Sequence, residues 1–364
     1  FRAGLGLVVF FVGSSCRVEK KRSPSPFLFF FLNFNGNYFL CLKSGDIGFA
    51  ESYIKGLCDS PDLLALLRLL LANSQEIETI IYGNWWGRLG YRIKHWFNKN
   101  TKAGSKKNIH AHYDIGNAFY ALWLDPSMTY SSACFDNKDT PLVEAQIAKY
   151  QKIIQSLTVA PGEKILEVGC GWGGLMEQAC LNGINIDCLT ISEEQAKYAR
   201  ERGGRIQSTD SGRHQVLLQD YRDHQEQYDG IASIEMFEAV GESYWPSYFE
   251  MLQRCLKPGK KACIQTIVIA DDLFEKYRNS SDFIQQYVFP GGMLPSEEKF
   301  KEAAAKQGLV TESVYRFGQD YQKTLVLWHE KFNQQLDAIK AQGFDQKFIR
   351  LWNLYLMYCA AGFA

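Results

Sequence analysis

From Lys164 onward, short apolar or β-branched runs alternate with longer amphipathic stretches. Residues 164–168, 184–190, 216–219, 230–234 and 262–269 are predicted strands, and 193–202 and 244–256 are predicted helices. Lys257-Pro258-Gly259 reads as a turn ahead of the last of these strands. Strand–helix alternation of this kind predicts a doubly wound α/β sheet.

Upstream the texture differs. Ser60-Pro61-Asp62 predicts a helix start, with Ser60 as the cap and Pro61 in the first turn; leucines from 63 to 71 form its apolar body, and Asn73 and Ser74 end it. A second helix is predicted over 84–98, where Trp85, Leu89, Ile93 and Trp96 share one face beside Trp86 and Phe97. Between Thr79 and Asn108 there are seven Lys or Arg and no acid, and 98–108 reads as a basic linker. The apolar run 5–12 is shorter than the roughly 20 residues needed to span a bilayer. The cluster Arg17, Lys20, Lys21, Arg22 follows that run, whereas a signal peptide carries its charges in front. Residues 1–25 are therefore expected to be an incomplete or non-native leader, 26–107 a partial N-terminal domain with its linker, and 108–364 the main domain, with its C-terminus expected to be cut short.

Composition narrows the function classes. Basic and acidic residues balance at 40 each, so nothing in the overall charge argues for nucleic acid. Aromatics reach 14%, enough for a core and also for an apolar substrate tunnel. The ten cysteines form no C-x-x-C pair, and no repeated Cys/His spacing suggests a metal; they read as reduced thiols of a cytosolic protein.

The chemistry is most concentrated at Ile165-Leu166-Glu167-Val168-Gly169-Cys170-Gly171-Trp172-Gly173-Gly174, an apolar strand running into a glycine-dense turn and then a helix. Glycines let the backbone turn sharply and approach a ligand without a Cβ in the way. Gly169, Gly171 and Gly174 also fit a dinucleotide fingerprint, which would want an acid about 20 residues further on. The next strand ends instead in Thr190-Ile191-Ser192. Glu167 at the first strand end would repel a pyrophosphate and suits a sulfonium carrying an amino group. A methyl donor is favoured over a nicotinamide dinucleotide.

This loop closely resembles the donor-binding loop of the cyclopropane-fatty-acid and mycolic-acid cyclopropane synthases. Six further blocks agree in order: His112 to Asn117 (HYDIGN), Met128 to Ala133 (MTYSSA), Leu189 to Gln195 (LTISEEQ), Gln219 to Asp223 (QDYRD), Ile234 to Gly241 (IEMFEAVG) and Phe289 to Pro295 (FPGGMLP). Residues 45–53 look like the end of that family's N-terminal domain. The resemblance implies a Rossmann-like class I S-adenosylmethionine-dependent methyltransferase with a remnant helical N-terminal domain. By position, Tyr130 and Ser131 would meet the donor's amino-acid end. Glu167, Gly169, Cys170, Gly171 and Gly173 would shape its pocket. Thr190, Ser192 and Gln195 would reach the ribose and amino-acid moiety, and Gln219 and Asp220 would flank the adenine. A plain alternative is that Thr190 and Gln195 cap the helix starting at Glu193.

The family's reaction adds the donor methyl to a cis alkene and then removes a proton. The resemblance implies a bound bicarbonate as the base, held by Glu238, Tyr321 and the backbone amide of Ile267. Two positions depart. Ser132 stands where Cys is usual, with its amide as the main anion contact, and Gln265 stands where His is usual. Gln can donate a hydrogen bond to an anion but cannot carry charge or relay a proton, so this change bears on ring closure more than on methyl transfer. Ala239 also replaces a His. Cys359 matches a Cys often assigned as catalytic, though a buried helical thiol is more often core.

The expected activity is cyclopropane formation on an unsaturated phospholipid chain. Methylation without ring closure, small-amine N-methylation and a non-catalytic lipid-binding module are the alternatives. The implied setting is cytoplasmic, peripheral at the inner membrane face, and a homodimer is one possible arrangement. The aromatic and basic segment 85–107 is expected to dock on an anionic membrane surface, the alternative being a domain interface with a solvated linker.

Overall fold

The structure, a computed structural model, describes residues 5–13, 33–34, 45–73, 115–206 and 211–364. Its strands are β1 (Leu5–Gly13), β2 (Asn33–Phe34), β3 (Cys58–Asp59), β4 (Lys164–Val168), β5 (Asn185–Thr190), β6 (His214–Leu218), β7 (Tyr228–Ile234), β8 (Leu256–Val268) and β9 (Leu309–Arg316). The helices are α1 (Gly45–Ile54), α2 (Leu63–Ala72), α3 (Asn117–Trp123), α4 (Leu142–Leu157), α5 (Gly174–Leu181), α6 (Glu193–Gly203), α7 (Trp245–Cys255), α8 (Phe274–Arg278), α9 (Phe283–Tyr287), α10 (Glu297–Lys306), α11 (Gly318–Gln334), α12 (Leu336–Ala341) and α13 (Gln346–Gly362). Seven strands form one sheet in the order β6-β5-β4-β7-β8-β1-β9, and β2 and β3 form a separate pair.

All neighbouring strands of the large sheet run parallel. A parallel sheet is covered on both faces, which is why its inner strands read as near-continuous apolar runs. Two core clusters follow from this. One holds Phe119, Trp123, Ile153 and Leu175, and the other Phe237, Tyr248, Phe249 and Phe300. The five strands and two helices predicted from the apolar pattern are all present within two residues of their expected ends, apart from the start of β8. There Tyr228 pairs with Leu256 and Gly230 with Lys261, so the expected Lys257-Pro258-Gly259 turn is a bulge inside the strand, with Gly259 at φ +76.

Two local expectations change. Leu5–Gly13, read as part of a leader, lies in the sheet between β8 and β9. Its alternate residues enter opposite cores, Val8, Phe10 and Val12 on one side and Leu7, Val9 and Phe11 on the other. A strand buried on both faces needs an unbroken apolar run, and that run is what resembled a leader. In α2 the cap is Asp62, whose carboxylate accepts from Ala65 N at 2.9 Å, and Pro61 precedes the helix. Ser60 instead accepts from the Asp62 amide through its Oγ. The predicted helix over 84–98 and the segment 85–107 lie outside the described residues.

Candidate active site

The carboxyl ends of β4, β5 and β7 open into one cavity of about 410 Å³. Crevices at strand carboxyl ends are where open α/β sheets bind ligands. The glycine turn after β4 is pinned there by the Gly169 and Cys170 amides, which both donate to Leu189 O at 3.0 Å. Gly171 has φ +50, and a Cβ built on it meets nothing within 4 Å, so its missing side chain leaves open space. Trp172 Nε1 donates to Asn117 Oδ1 at 2.7 Å, tying the loop to the Asn of the block that starts at His112.

The residues expected to hold the donor converge on this cavity. Tyr130, Ser131, Glu167, Gly169, Cys170, Gly171, Thr190, Gln195, Gln219 and Asp220 all line it. Gly173 instead caps α5, and Ser192 caps α6 by accepting from Gln195 N. Thr190 Oγ1 donates to Gln195 Oε1 at 2.9 Å, so the pair both braces the start of α6 and faces the cavity. Asp220 accepts from Arg222 Nε and from its second guanidinium nitrogen at 2.9 and 2.6 Å, which fixes the carboxylate beside Gln219. Burial raises the carboxyl of Glu167 to about 8, with Lys149 and Arg202 acting against it. A buried carboxyl of this kind ionises readily once a cationic ligand sits against it.

Beside the glycine turn, two carboxylates follow the end of β7, the strand that pairs with β4. Glu238 accepts from the Ile267 amide at 2.5 Å and from Thr266 Oγ1 at 3.1 Å, and its Oε2 is buried without a partner. Burial and the neighbouring Glu235 push its carboxyl to about 8. Glu235 accepts from three donors: the Ser132 amide at 2.9 Å, Gln265 Nε2 at 2.7 Å and Tyr321 OH at 2.7 Å. Its carboxyl is raised by burial and held back by Lys149 and those hydrogen bonds. Of the residues expected to hold bicarbonate, Ser132, Gln265 and Tyr321 are thus already bonded to Glu235, and Ile267 to Glu238. Cys359 lines the cavity, and burial holds its thiol well above the usual range, so it stays protonated.

Sequence reading missed Glu235 and Lys149. A carboxylate three residues before Glu238, with Gln in place of His at 265, was the available signal for the first. The signal for the second is a lysine on the buried stripe Ala145, Gln146, Lys149, Tyr150, Ile153 of α4. Lys149 is wholly buried and donates to Ser131 Oγ at 2.6 Å, and burial lowers its ammonium to about 8.

The cavity is also lined by Ile284, Phe289, Leu325, Tyr355 and Phe363, which form an apolar chamber. Helix α1 braces that chamber from outside. Asp46 accepts from the Phe283 amide at 3.1 Å and from Tyr358 OH at 3.2 Å, and Tyr287 OH donates to Glu51 at 2.7 Å. Among the described residues no helix is long and apolar enough to cross a membrane.

Known proteins agree with this architecture. A family profile described as mycolic acid cyclopropane synthetase matches residues 100–364. Tuberculostearic acid methyltransferase of Mycobacterium tuberculosis is 35% identical over 88% of this chain and 76% of its own length. Cyclopropane-fatty-acyl-phospholipid synthase of Escherichia coli is 35% identical over 88% and 81%. A solved cyclopropane synthase of Mycobacterium tuberculosis superposes with a TM-score of 0.64 at 30% identity, covering 71% of this chain and 93% of that one. A mycolic acid cyclopropane synthase solved with S-adenosylhomocysteine and CTAB superposes at 0.61, also at 30% identity, covering 71% and 93%. The glycine turn, the buried Glu167 and the open space at Gly171 fit such a donor, and the chain belongs to the mycolic acid cyclopropane synthetase family of S-adenosylmethionine-dependent methyltransferases.

Proposed function

We propose that this enzyme methylates the cis double bond of an unsaturated phospholipid acyl chain and closes the product to a cyclopropane. The observation that carries this reading is a single cavity joining the glycine turn, an apolar chamber and a buried carboxylate pair. An alkyl chain lying among Ile284, Phe289, Leu325 and Phe363 is desolvated at no polar cost, and its double bond meets the donor end at Tyr130 and the carboxylates at Glu235 and Glu238. The donor, when bound, supplies an electrophilic methyl group: the alkene electron pair takes it, the S–C pair stays on sulfur, and a cation is left on the chain. Water would capture that cation, and the apolar walls exclude it. Tyr130, whose OH is paired with Tyr355 OH at 2.8 Å, orients the donor end of the chamber.

Proton removal is the step on which this chain departs from the expected pattern. A bicarbonate would need the Ser132 amide, Gln265 and Tyr321, which are already spent on Glu235. The similarity to tuberculostearic acid methyltransferase, at the same 35% as the cyclopropane synthase, supports methylation without ring closure as the second reading. Both products place the enzyme at the surface of a membrane that supplies the acyl chains.

The test is lipid analysis of a bacterial host expressing the chain. A one-carbon mass gain on monounsaturated phospholipids is expected, with NMR separating a ring from a methylene branch. Unchanged lipids alongside measurable donor binding would remove the acyl-chain reading and favour a small-amine acceptor. Absence of donor binding would leave only a lipid-binding module.

A further inference from the structure

We propose that the Glu235 carboxylate is the base of this enzyme, built into the chain in the place where a bound bicarbonate is expected. The proposal rests on the alkene reading above, because the proton it removes is a C–H proton of the chain-borne cation.

Three observations converge. The first is the donor set. A backbone amide from the segment before α4, an amide side chain from β8 and a phenol from α11 all point at the two oxygens of one carboxylate. Bicarbonate and a carboxylate share the same planar O–C–O group, so a cradle for one accepts the other. The second is backbone strain. Glu235 has φ +48, one of only three non-glycine residues among those described with positive φ. That conformation is strained for a non-glycine residue and persists where surrounding structure enforces it, commonly at functional sites. The Glu235 amide is held in place by donation to Gln265 O at 2.8 Å, so one residue, Gln265, grips both its backbone and its side chain. The third is location. Glu235 lines the same cavity as the glycine turn and the apolar residues, at the end of the strand that pairs with β4.

Four titratable groups face it from the packed elements: Lys149 from α4, Glu238 from the turn after β7, Tyr321 from α11 and Cys359 from α13. Lys149 is the cation among them and lowers the proton affinity of Glu235 against the burial that raises it. Glu238 has no comparable donor set on its free oxygen and retains a proton in preference to its neighbour. In the reaction an O–H bond forms on Glu235 and a C–H bond of the newly added methyl breaks. Its electron pair closes onto the adjacent cationic carbon as the third side of the ring. Glu235 becomes a neutral carboxylic acid, and the proton leaves to solvent after product release. The same acid–base step gives a methylene if the cation has first moved to the methyl-bearing carbon.

Because position 235 has a glycine-compatible backbone, Glu235→Gly removes the carboxylate and relieves strain, leaving an anion-sized space facing three donors. The experiment uses the full chain and vesicles of cis-monounsaturated phospholipid in buffer stripped of carbon dioxide, with and without added bicarbonate. Wild type should run at the same rate in both. Glu235→Gln should lose about a hundredfold or more of turnover, the usual scale of a general base, with donor affinity by calorimetry unchanged. Glu235→Gly should be inactive without bicarbonate, gain at least tenfold on its addition, and show a bicarbonate-dependent rise in melting temperature that wild type lacks. A wild-type rate that collapses on removing bicarbonate, a Glu235→Gln variant with near-normal turnover, or a Glu235→Gly variant indifferent to bicarbonate in both assays would overturn the proposal. If wild type methylates no lipid at all, the alkene reading fails, while the melting response of Glu235→Gly still reports on the anion cradle.

Discussion

Tyr321 donates its hydroxyl to Glu235 at 2.7 Å, joining the first turn of α11 to the end of β7 across 86 residues of sequence. Burial and Glu235 together push the Tyr321 phenol well above its ordinary value, so it acts as a fixed donor at any working pH. Tyr321→Phe removes one of the three hydrogen bonds on a charged group, worth about 1.5–3 kcal/mol. We expect turnover to fall by roughly ten- to a hundredfold by that measure, with donor affinity by calorimetry unchanged. Equal loss of donor binding would show that Tyr321 shapes the donor pocket instead.

Lys149 governs the same carboxylate through charge. It lowers the proton affinity of Glu235, so its removal should raise it. A base must be ionised to act, and the acid limb of the rate profile for Lys149→Met is therefore expected at higher pH than in wild type. Activity lost near neutrality should return as pH rises. A profile lowered evenly at all pH values would mean that Lys149 serves Ser131 and packing alone.

The sequence pattern carried the sheet from β4 to β8 well, because strands buried on both faces and amphipathic helices have different periods. It failed at Leu5–Gly13, since an apolar run of that length is the same whether it ends in a sheet or in a leader. Glu238 and Tyr321, named by resemblance, both line the cavity. The setting of Glu235 was not legible, because it depends on Ser132, Gln265 and Tyr321 meeting in space from three separate elements. Nor does periodicity show that Lys149, on the apolar face of α4, has a polar partner at Ser131.

Donor binding should release a proton. Burial raises the Glu167 carboxyl to about 8, so near pH 7 it is mostly protonated. A cationic donor favours the ionised form, and its affinity should climb with pH up to about 8 and then level off. Calorimetry at pH 7 in buffers of differing ionisation heat should report close to one proton released per donor bound. Binding without proton release would mean that Glu167 is already ionised beside Lys149 and Arg202.

Gly171 should be intolerant of any branched side chain. Its φ of +50 disfavours a Cβ, and the open space such an atom would enter is where we propose the donor sits. Gly171→Val is expected to abolish donor binding by calorimetry. A melting temperature within a few degrees of wild type would keep the loss from being read as unfolding, because nothing lies within 4 Å to be displaced. Retained affinity in a folded variant would place the donor elsewhere.

We propose, on sequence grounds, that the segment 85–107 docks the enzyme on a lipid surface. It combines Trp85, Trp86, Trp96 and Phe97 with Arg88, Arg92, Lys94, Lys99, Lys102, Lys106 and Lys107. Aromatics suit the headgroup level, and each basic residue near an anionic surface adds about 1 kcal/mol. If the segment docks the enzyme, binding to anionic vesicles should weaken as salt rises, because the Debye length falls to about 3 Å at 1 M. Changing Lys102, Lys106 and Lys107 to Gln should weaken sedimentation with such vesicles at low salt and bring the variant close to the wild type at high salt. Its turnover on a short-chain, monomeric unsaturated lipid should stay unchanged, since a dispersed substrate needs no docking on a surface. Equal vesicle binding by both proteins at every salt concentration would assign the aromatics to a domain interface and the lysines to a solvated linker.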